Sequence, residues 1–259
     1  LDSLALLTGK PTILLADHVG GRIAADLRHL NFNVVVLQDR KWVELSPRLR
    51  ILCIADYNQD AVLLADLGGT LLVNINDARD HGWGSFVTRT LRPYEETFLF
   101  KLFGYGDADM INFVDEDGRR IEPFTGERCR VGQAIQRYAE AAGVKYVIPF
   151  SSLHRYQRAD SIWANRYTTH LRDYPIGFAS KRARLFPPFV RYDCITRHAE
   201  EIRPPENPEV VVEPEVFGDD WNERVERSDV QVLNDYVRSI AHLGRTVDFI
   251  AFRVGGTEH

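Results

Sequence analysis

The chain has 259 residues, 44% of them apolar, and a net charge of −5. This supplies enough apolar chain for one large domain or two small ones. The acidic balance excludes a general nucleic-acid binder, which carries a basic face, but leaves room for a local basic pocket. No apolar run approaches the roughly 18 residues of a membrane span, and no signal peptide is visible. Three scattered cysteines, Cys53, Cys129 and Cys194, make neither a disulfide framework nor a zinc knuckle. A reducing, cytoplasmic setting is the expectation.

Thr12 to Ala16 reads as a short buried strand. Gly20 to Leu30 places Ile23, Ala24, Leu27 and Leu30 at helical spacing. Val34 to Leu37 is a second buried strand, which completes a βαβ pattern. Trp42 to Leu45 and Leu49 to Ala55 follow around a Ser46-Pro47 turn. Ala61 to Ala65 and Thr70 to Ile75 flank Asp66-Leu67-Gly68-Gly69, a hairpin signature. Thr97 to Phe103 fits a strand or a buried helix equally well, because periodicity does not separate the two. Gly104 to Asp109 is a loop by composition, and Asp115-Glu116-Asp117-Gly118 is an acidic turn. Val131 to Ala142 predicts a helix with Gly143 as its stop, and Lys145 to Pro149 a strand. Leu185 to Tyr192 predicts a late strand, and the four prolines between Pro204 and Pro214 a surface linker. Asp229 to Leu243 reads as an amphipathic helix and Thr246 to Val254 as a final strand. This places one domain over residues 1–200 and an extension of linker, helix and strand over 201–259.

Three residues carry the candidate chemistry. Asp77 ends the apolar run from Leu71, Asp60 precedes the run from Ala61, and His154 follows the strand at Tyr146 to Pro149. An acid delivered to a sheet rim by a buried strand needs a partner, and a metal ion offsets its desolvation. Asp60 and Asp77 are 17 residues apart across one hairpin, and antiparallel neighbours begin and end at one edge. Two carboxylates with one imidazole suit iron, manganese or zinc. Each residue has an ordinary alternative. Asp77 fits a helix N-cap, Asp60 fits the turn Asn58-Gln59-Asp60, and His154 fits a hydrogen-bonded core histidine. His81, four residues after Asp77, reads as a further ligand or a loop residue. Tyr105, Asp107, Arg155 and Arg158 are candidates to shape a pocket for an anionic small molecule, the arginines through bidentate contacts. Their alternatives are a surface turn and solvated pairs with Asp160 and Asp173.

The order of a strand, a turn, a strand ending in Asn76-Asp77, then helix, strand and His154 resembles the later half of the metallo-β-lactamase superfamily. Phe103 to Asp109 and Pro149 to Tyr156 are similar to segments in the branch of the UlaG-like hydrolases and the sialic-acid nucleotide hydroxylases. The resemblance covers residues 11 to 192 and implies an α/β fold, an αββα sandwich. It implies that Asp77 matches the strand-end acid that bridges two metals, that His154 matches the final His, and that Asp60 stands where a middle His would be. It further implies a divalent metal, iron or zinc, with two ions in an intact site, and for an oxygenase a Rieske-type electron donor. The family's H-x-H-x-D-H motif does not occur in the chain and is expected before Leu1. The expected function is a metal-dependent enzyme that activates water, as a hydrolase, or dioxygen, as an oxygenase. The alternative is a non-catalytic domain that binds a ligand or protein and has lost the metal site.

Overall fold

The computed structural model describes residues 9–56, 60–105, 111, 113–123, 130–150, 153–204, 208–217 and 225–240, and two short strands at 253–254 and 257–258. The chain opens with β1 (Thr12–Ala16), α1 (Arg22–His29) and β2 (Asn33–Leu37). β1 and β2 pair in parallel with Leu14 opposite Val35, as a helical crossover requires. Ala24 and Leu27 of α1 pack against Phe32 and Val34.

A seven-stranded sheet follows, its strands in chain order. They are β3 (Val43–Ser46), β4 (Leu49–Ala55), β5 (Ala61–Asp66), β6 (Thr70–Asn76), β7 (Glu96–Lys101), β8 (Tyr146–Pro149) and β9 (Arg184–Leu185). From β3 to β6 the neighbours are antiparallel. From β6 to β9 they are parallel. Connection length decides this. The β5–β6 turn spans a few residues, with Gly68 and Gly69 at φ +64° and +103°. The Gly69 N–H donates to Asp66 Oδ1 at 2.8 Å. The parallel pairs are joined through α2 (Gly84–Leu91) and α3 (Val131–Ala142), long enough to carry the chain back to the starting edge.

Side-chain alternation sorts the sheet into two faces. Leu52 and Ile54 join Val62, Leu64, Leu71, Val73, Leu99 and Val147 in one layer, covered by Val87 and Leu91 of α2 and Ile135 and Ala139 of α3. Ile51 and Cys53 point the other way, onto Ala16 and Leu37. Farther along, Phe98 and Ile148 pack with Phe186 and Tyr192. The last belongs to the hairpin β10 (Val190–Asp193) and β11 (His198–Glu201). The architecture is thus mixed α/β, with a helical layer on one face of a mixed sheet.

Two units divide the chain. The first comprises Leu1–Asp107, Phe124–Arg155 and Asn165–Asn207 and holds the seven-stranded sheet. The second comprises Ala108–Pro123, Tyr156–Ala164 and Pro208–His259. Within the second, Val114 bridges Arg120 and Arg158 bridges Val212, and the Arg120 guanidinium lies 3.8 Å from the Trp163 ring centre. It also contains α4 (Arg227–Ile240) and the short antiparallel pair β12 (Arg253–Val254) and β13 (Thr257–Glu258).

Two buried carboxylates tie the sheet's margins. Asp66 accepts from Arg50 Nε at 2.9 Å and Tyr94 Oη at 2.8 Å. Arg50 also stacks 4.6 Å from the Trp42 ring centre. Glu96 accepts from Lys145 Nζ and, at 2.8 Å, from Tyr192 Oη. Burial pushes both carboxyls up, but hydrogen bonds outweigh it and hold both below their ordinary values. The opposing bonds come from Gly69, Tyr94 and Arg50 at Asp66, and from Lys145 and Tyr192 at Glu96. The unfolded chain therefore binds more protons, and stability rises with pH through this window. The contribution is complete above the unfolded values of about 3.9 and 4.3 and is lost as pH falls through the folded ones. Urea titrations from pH 7 down to pH 3 are expected to show stability declining below about pH 4. A flat profile there contradicts the assignment.

Candidate functional site

Asp60 and Asp77 lie at one edge of the sheet, where β4 and β6 end. β4 ends at Ala55, opposite Ala61 at the start of β5. Beyond that pair the Asp56 N–H donates to the Asp60 carbonyl at 2.9 Å. β5 and β6 pair with Leu63 opposite Asn74. The pairing stops there, three residues short of Asp60 on one strand and of Asp77 on the other. β7 and β8 finish at the same edge, with Asn76 opposite Lys101 and Lys101 opposite Pro149. His154 lies five residues after Pro149 in the chain.

Asp77 follows a distorted strand end. The β6–β7 register shifts between Asn74 and Asn76, and Asn76 has φ +51°, a left-handed conformation that asparagine tolerates better than most side chains. Asn76 Nδ2 donates to Asp77 Oδ1. The capping role that the sequence allowed for Asp77 falls to Asp80, whose Oδ1 accepts from the Gly82 and Gly84 N–H groups at 2.9 Å, at the start of α2. Burial pulls the Lys101 ammonium below the ordinary lysine value, against the attraction of Asp77, and its Nζ lies 5.1 Å from the Tyr138 ring centre.

Among the described residues, no three His, Cys, Asp or Glu side chains gather closely enough to hold a metal ion. Asp60, Asp77 and His154 all fall within those residues and do not form such a cluster. The strand order supplies the reason. β7 lies between β6 and β8, which separates Asp77 from the β8 end by two strand spacings, about 10 Å.

The edge also contains residues that the sequence reading passed over. Asp56 is 4% exposed, and His81 Nε2 lies 3.6 Å from its Oδ2. Ala16, the last residue of β1, packs with Ile51 and Cys53, and Ala55 and Ala61 pack against the same cluster. That contact brings Asp17 and His18, which follow β1, toward the Asp56 end of the sheet. Three buried acceptor-capable atoms here have no hydrogen-bond partner among the described residues: His18 Nδ1, Asp56 Oδ2 and Asn76 Oδ1. A buried polar atom left unpaired costs about 1–3 kcal/mol, which makes this edge the candidate site. The signal available in the sequence was Asp17-His18 directly after a buried strand, and Asp56 at the end of Ile51 to Ala55.

The candidate pocket residues are distributed differently. The Tyr105 N–H donates to Thr169 Oγ1 at 2.6 Å and the Thr169 N–H to the Tyr105 carbonyl at 3.0 Å. This fixes the loop after β7 against the segment around Thr169. Arg155 Nη2 lies 3.1 Å from His170 Nδ1. Arg158 belongs to the second unit and donates from Nε and Nη2 to the two Asp160 oxygens, at 3.3 and 3.0 Å. Asp107 lies outside the described residues. No helix among the described residues is long and apolar enough to cross a membrane.

No family model matches the chain, and the comparison with curated proteins gives no match. Among solved structures, a mutant of the CmlA beta-hydroxylase is similar at a TM-score of 0.33 and 14% sequence identity. The similarity covers 58% of this chain and 30% of the hydroxylase chain.

Proposed function

We propose that the chain is a metal-dependent enzyme of metallo-β-lactamase-like fold, acting on a small anionic molecule at the edge where β4, β6, β7 and β8 end. The observation that carries the reading is the set of unpaired buried atoms there, a histidine nitrogen, a carboxylate oxygen and an amide oxygen. The two oxygens are acceptors and the histidine nitrogen is one in its Nε2–H tautomer, and a cation satisfies acceptors. The donor set is nitrogen and oxygen without thiolate, which suits iron, manganese or zinc. Asp17-His18 supports the same reading. It reproduces the closing Asp-His of the H-x-H-x-D-H pattern, with Ile13 and Leu15 where the two leading histidines would stand.

In this reading Asp56 and His81, 3.6 Å apart, hold the ion, and Asp60, Asp77 and His154, which do not gather without it, close on it as it binds. Bound there, such an ion supplies polarisation of a carbonyl or phosphoryl oxygen and activation of water, or with iron the activation of dioxygen. The oxygenase form takes electrons from a Rieske-type donor. Lys101 offsets the negative charge of the acids beside it. Tyr105, Asp107 and Arg155 orient the substrate, the guanidinium of Arg155 meeting its anionic group.

Elemental analysis of the purified protein tests this. About one or two equivalents of iron or zinc are expected. His81→Ala and Asp77→Asn are each expected to weaken metal retention by about tenfold or more. Protein that holds only trace metal after incubation with iron(II) or zinc overturns the reading. A non-catalytic binding domain is then the better account.

A further inference from the structure

A cavity of about 770 Å³ lies beside the outer strand β9, within the range of small-molecule sites. It shares no lining residue with the edge described above, and its walls come from Leu171 to Pro204 of the first unit. One wall is anchored to α3. The Gly132 N–H donates to the Ile176 carbonyl at 3.0 Å, the Ala179 N–H to Gln136 Oε1 at 2.9 Å, and Ser180 Oγ to Glu140 Oε1 at 2.7 Å. The facing wall leaves the sheet at Pro187-Pro188, which cannot extend β9. Both walls are therefore preformed.

The chemistry of the lining is specific. Tyr174, Phe178, Phe186 and Phe189 supply aromatic surface. Tyr174 is 1% exposed, and its hydroxyl has no hydrogen-bond partner among the described residues. Burial pushes that phenol up to about 12, so it remains a donor at neutral pH. Arg172, Arg184 and Glu201 contribute charge. Arg184 rests 4.7 Å from the Phe186 ring centre. Among the described residues it meets no carboxylate, and Arg172 meets only Asp173, at 4.0 Å. Asp173 offsets Arg172, which leaves the Arg184 guanidinium to meet an anionic group.

We infer that this cavity is a second binding site, for a small molecule with a flat apolar body and one carboxylate. The body lies among the aromatic rings, and the carboxylate meets the guanidinium of Arg184. Calorimetric titration of the full chain with naphthylacetate and with uncharged naphthylacetamide tests it. The acid is expected to bind about tenfold more tightly than the amide. Arg184→Gln is expected to remove that preference. Ile202→Trp, at a half-exposed lining position, is expected to weaken both probes about tenfold by filling the hollow. Unfolding temperatures confirm that each variant is folded, and binding is expected to survive removal of metal, which separates this site from the edge of β4 to β8. Equal binding of acid and amide, no binding by either, or binding indifferent to Ile202→Trp overturns the inference. So does self-association that competes with the probe, since the hollow then belongs to a second copy of the chain.

Discussion

Gly132→Ala is expected to destabilise the first unit by about 3 kcal/mol, lowering its unfolding temperature by roughly 5–10 °C. Helix propensity argues the opposite sign, because alanine within a helix is favoured over glycine by about 1 kcal/mol. The local geometry decides. A Cβ at this position would sit 2.7 Å from the Ile176 carbonyl oxygen, the Phe178 nitrogen and the Tyr174 carbonyl oxygen. All three are backbone atoms, so no rotamer change relieves the contact. Either α3 or the 174–178 segment must move, and α3 carries Ile135 and Ala139, both fully buried. Differential scanning calorimetry reads the result. Unchanged or raised stability shows that the helix and this segment do not approach as closely as described.

Glu96→Ala is expected to cost about 2–3 kcal/mol. The side chain is buried and accepts from Lys145 and Tyr192, with Arg197 Nη1 3.7 Å away. Truncation leaves the Tyr192 hydroxyl without its acceptor inside an aromatic cluster. The Lys145 side chain is 44% exposed and regains water, which keeps the loss below that of a fully buried broken pair. Glu96→Gln keeps the shape and removes the charge, so it is expected to fall between the two. Urea unfolding at pH 7 separates the three proteins, and an alanine variant as stable as the parent removes Glu96 from any structural role.

Much of the fold was legible because its elements are local. Val131 to Ala142 was bounded by its apolar spacing and by Gly143, which has φ +74° and ends α3. The β5–β6 hairpin was announced by Gly68-Gly69. Thr97 to Phe103 could not be assigned because Thr97, Phe98 and Leu99 are consecutively buried, the pattern of a parallel strand covered on both faces. It is strand β7. Leu185 to Tyr192 read as one strand but is two, since Pro187-Pro188 interrupts it.

The candidate site was legible only where two strands share a turn. Hairpin spacing put Asp60 and Asp77 at the ends of neighbouring strands, β5 and β6, which pair in antiparallel fashion. Asp56 with His81 did not follow from spacing, because the pair joins a strand end to a connection beyond the next two strands. The approach of His18 depends on β1 packing over β4, which no spacing along the chain encodes. Loop composition marked Tyr105 but not its partner Thr169, 64 residues later.

The interleaving of the two units bears on how the chain acquires its structure. β3 to β6 close through short turns and need only neighbouring chain, so they can assemble early, even while synthesis continues. β8 reaches β7 only after Ala108–Pro123 has been made, and that stretch belongs to the other unit. The late parallel strands therefore wait on distant sequence, and their docking is expected to follow that of the local hairpins. Until it occurs, the newborn polypeptide exposes the β7 margin to chaperones and to neighbouring chains.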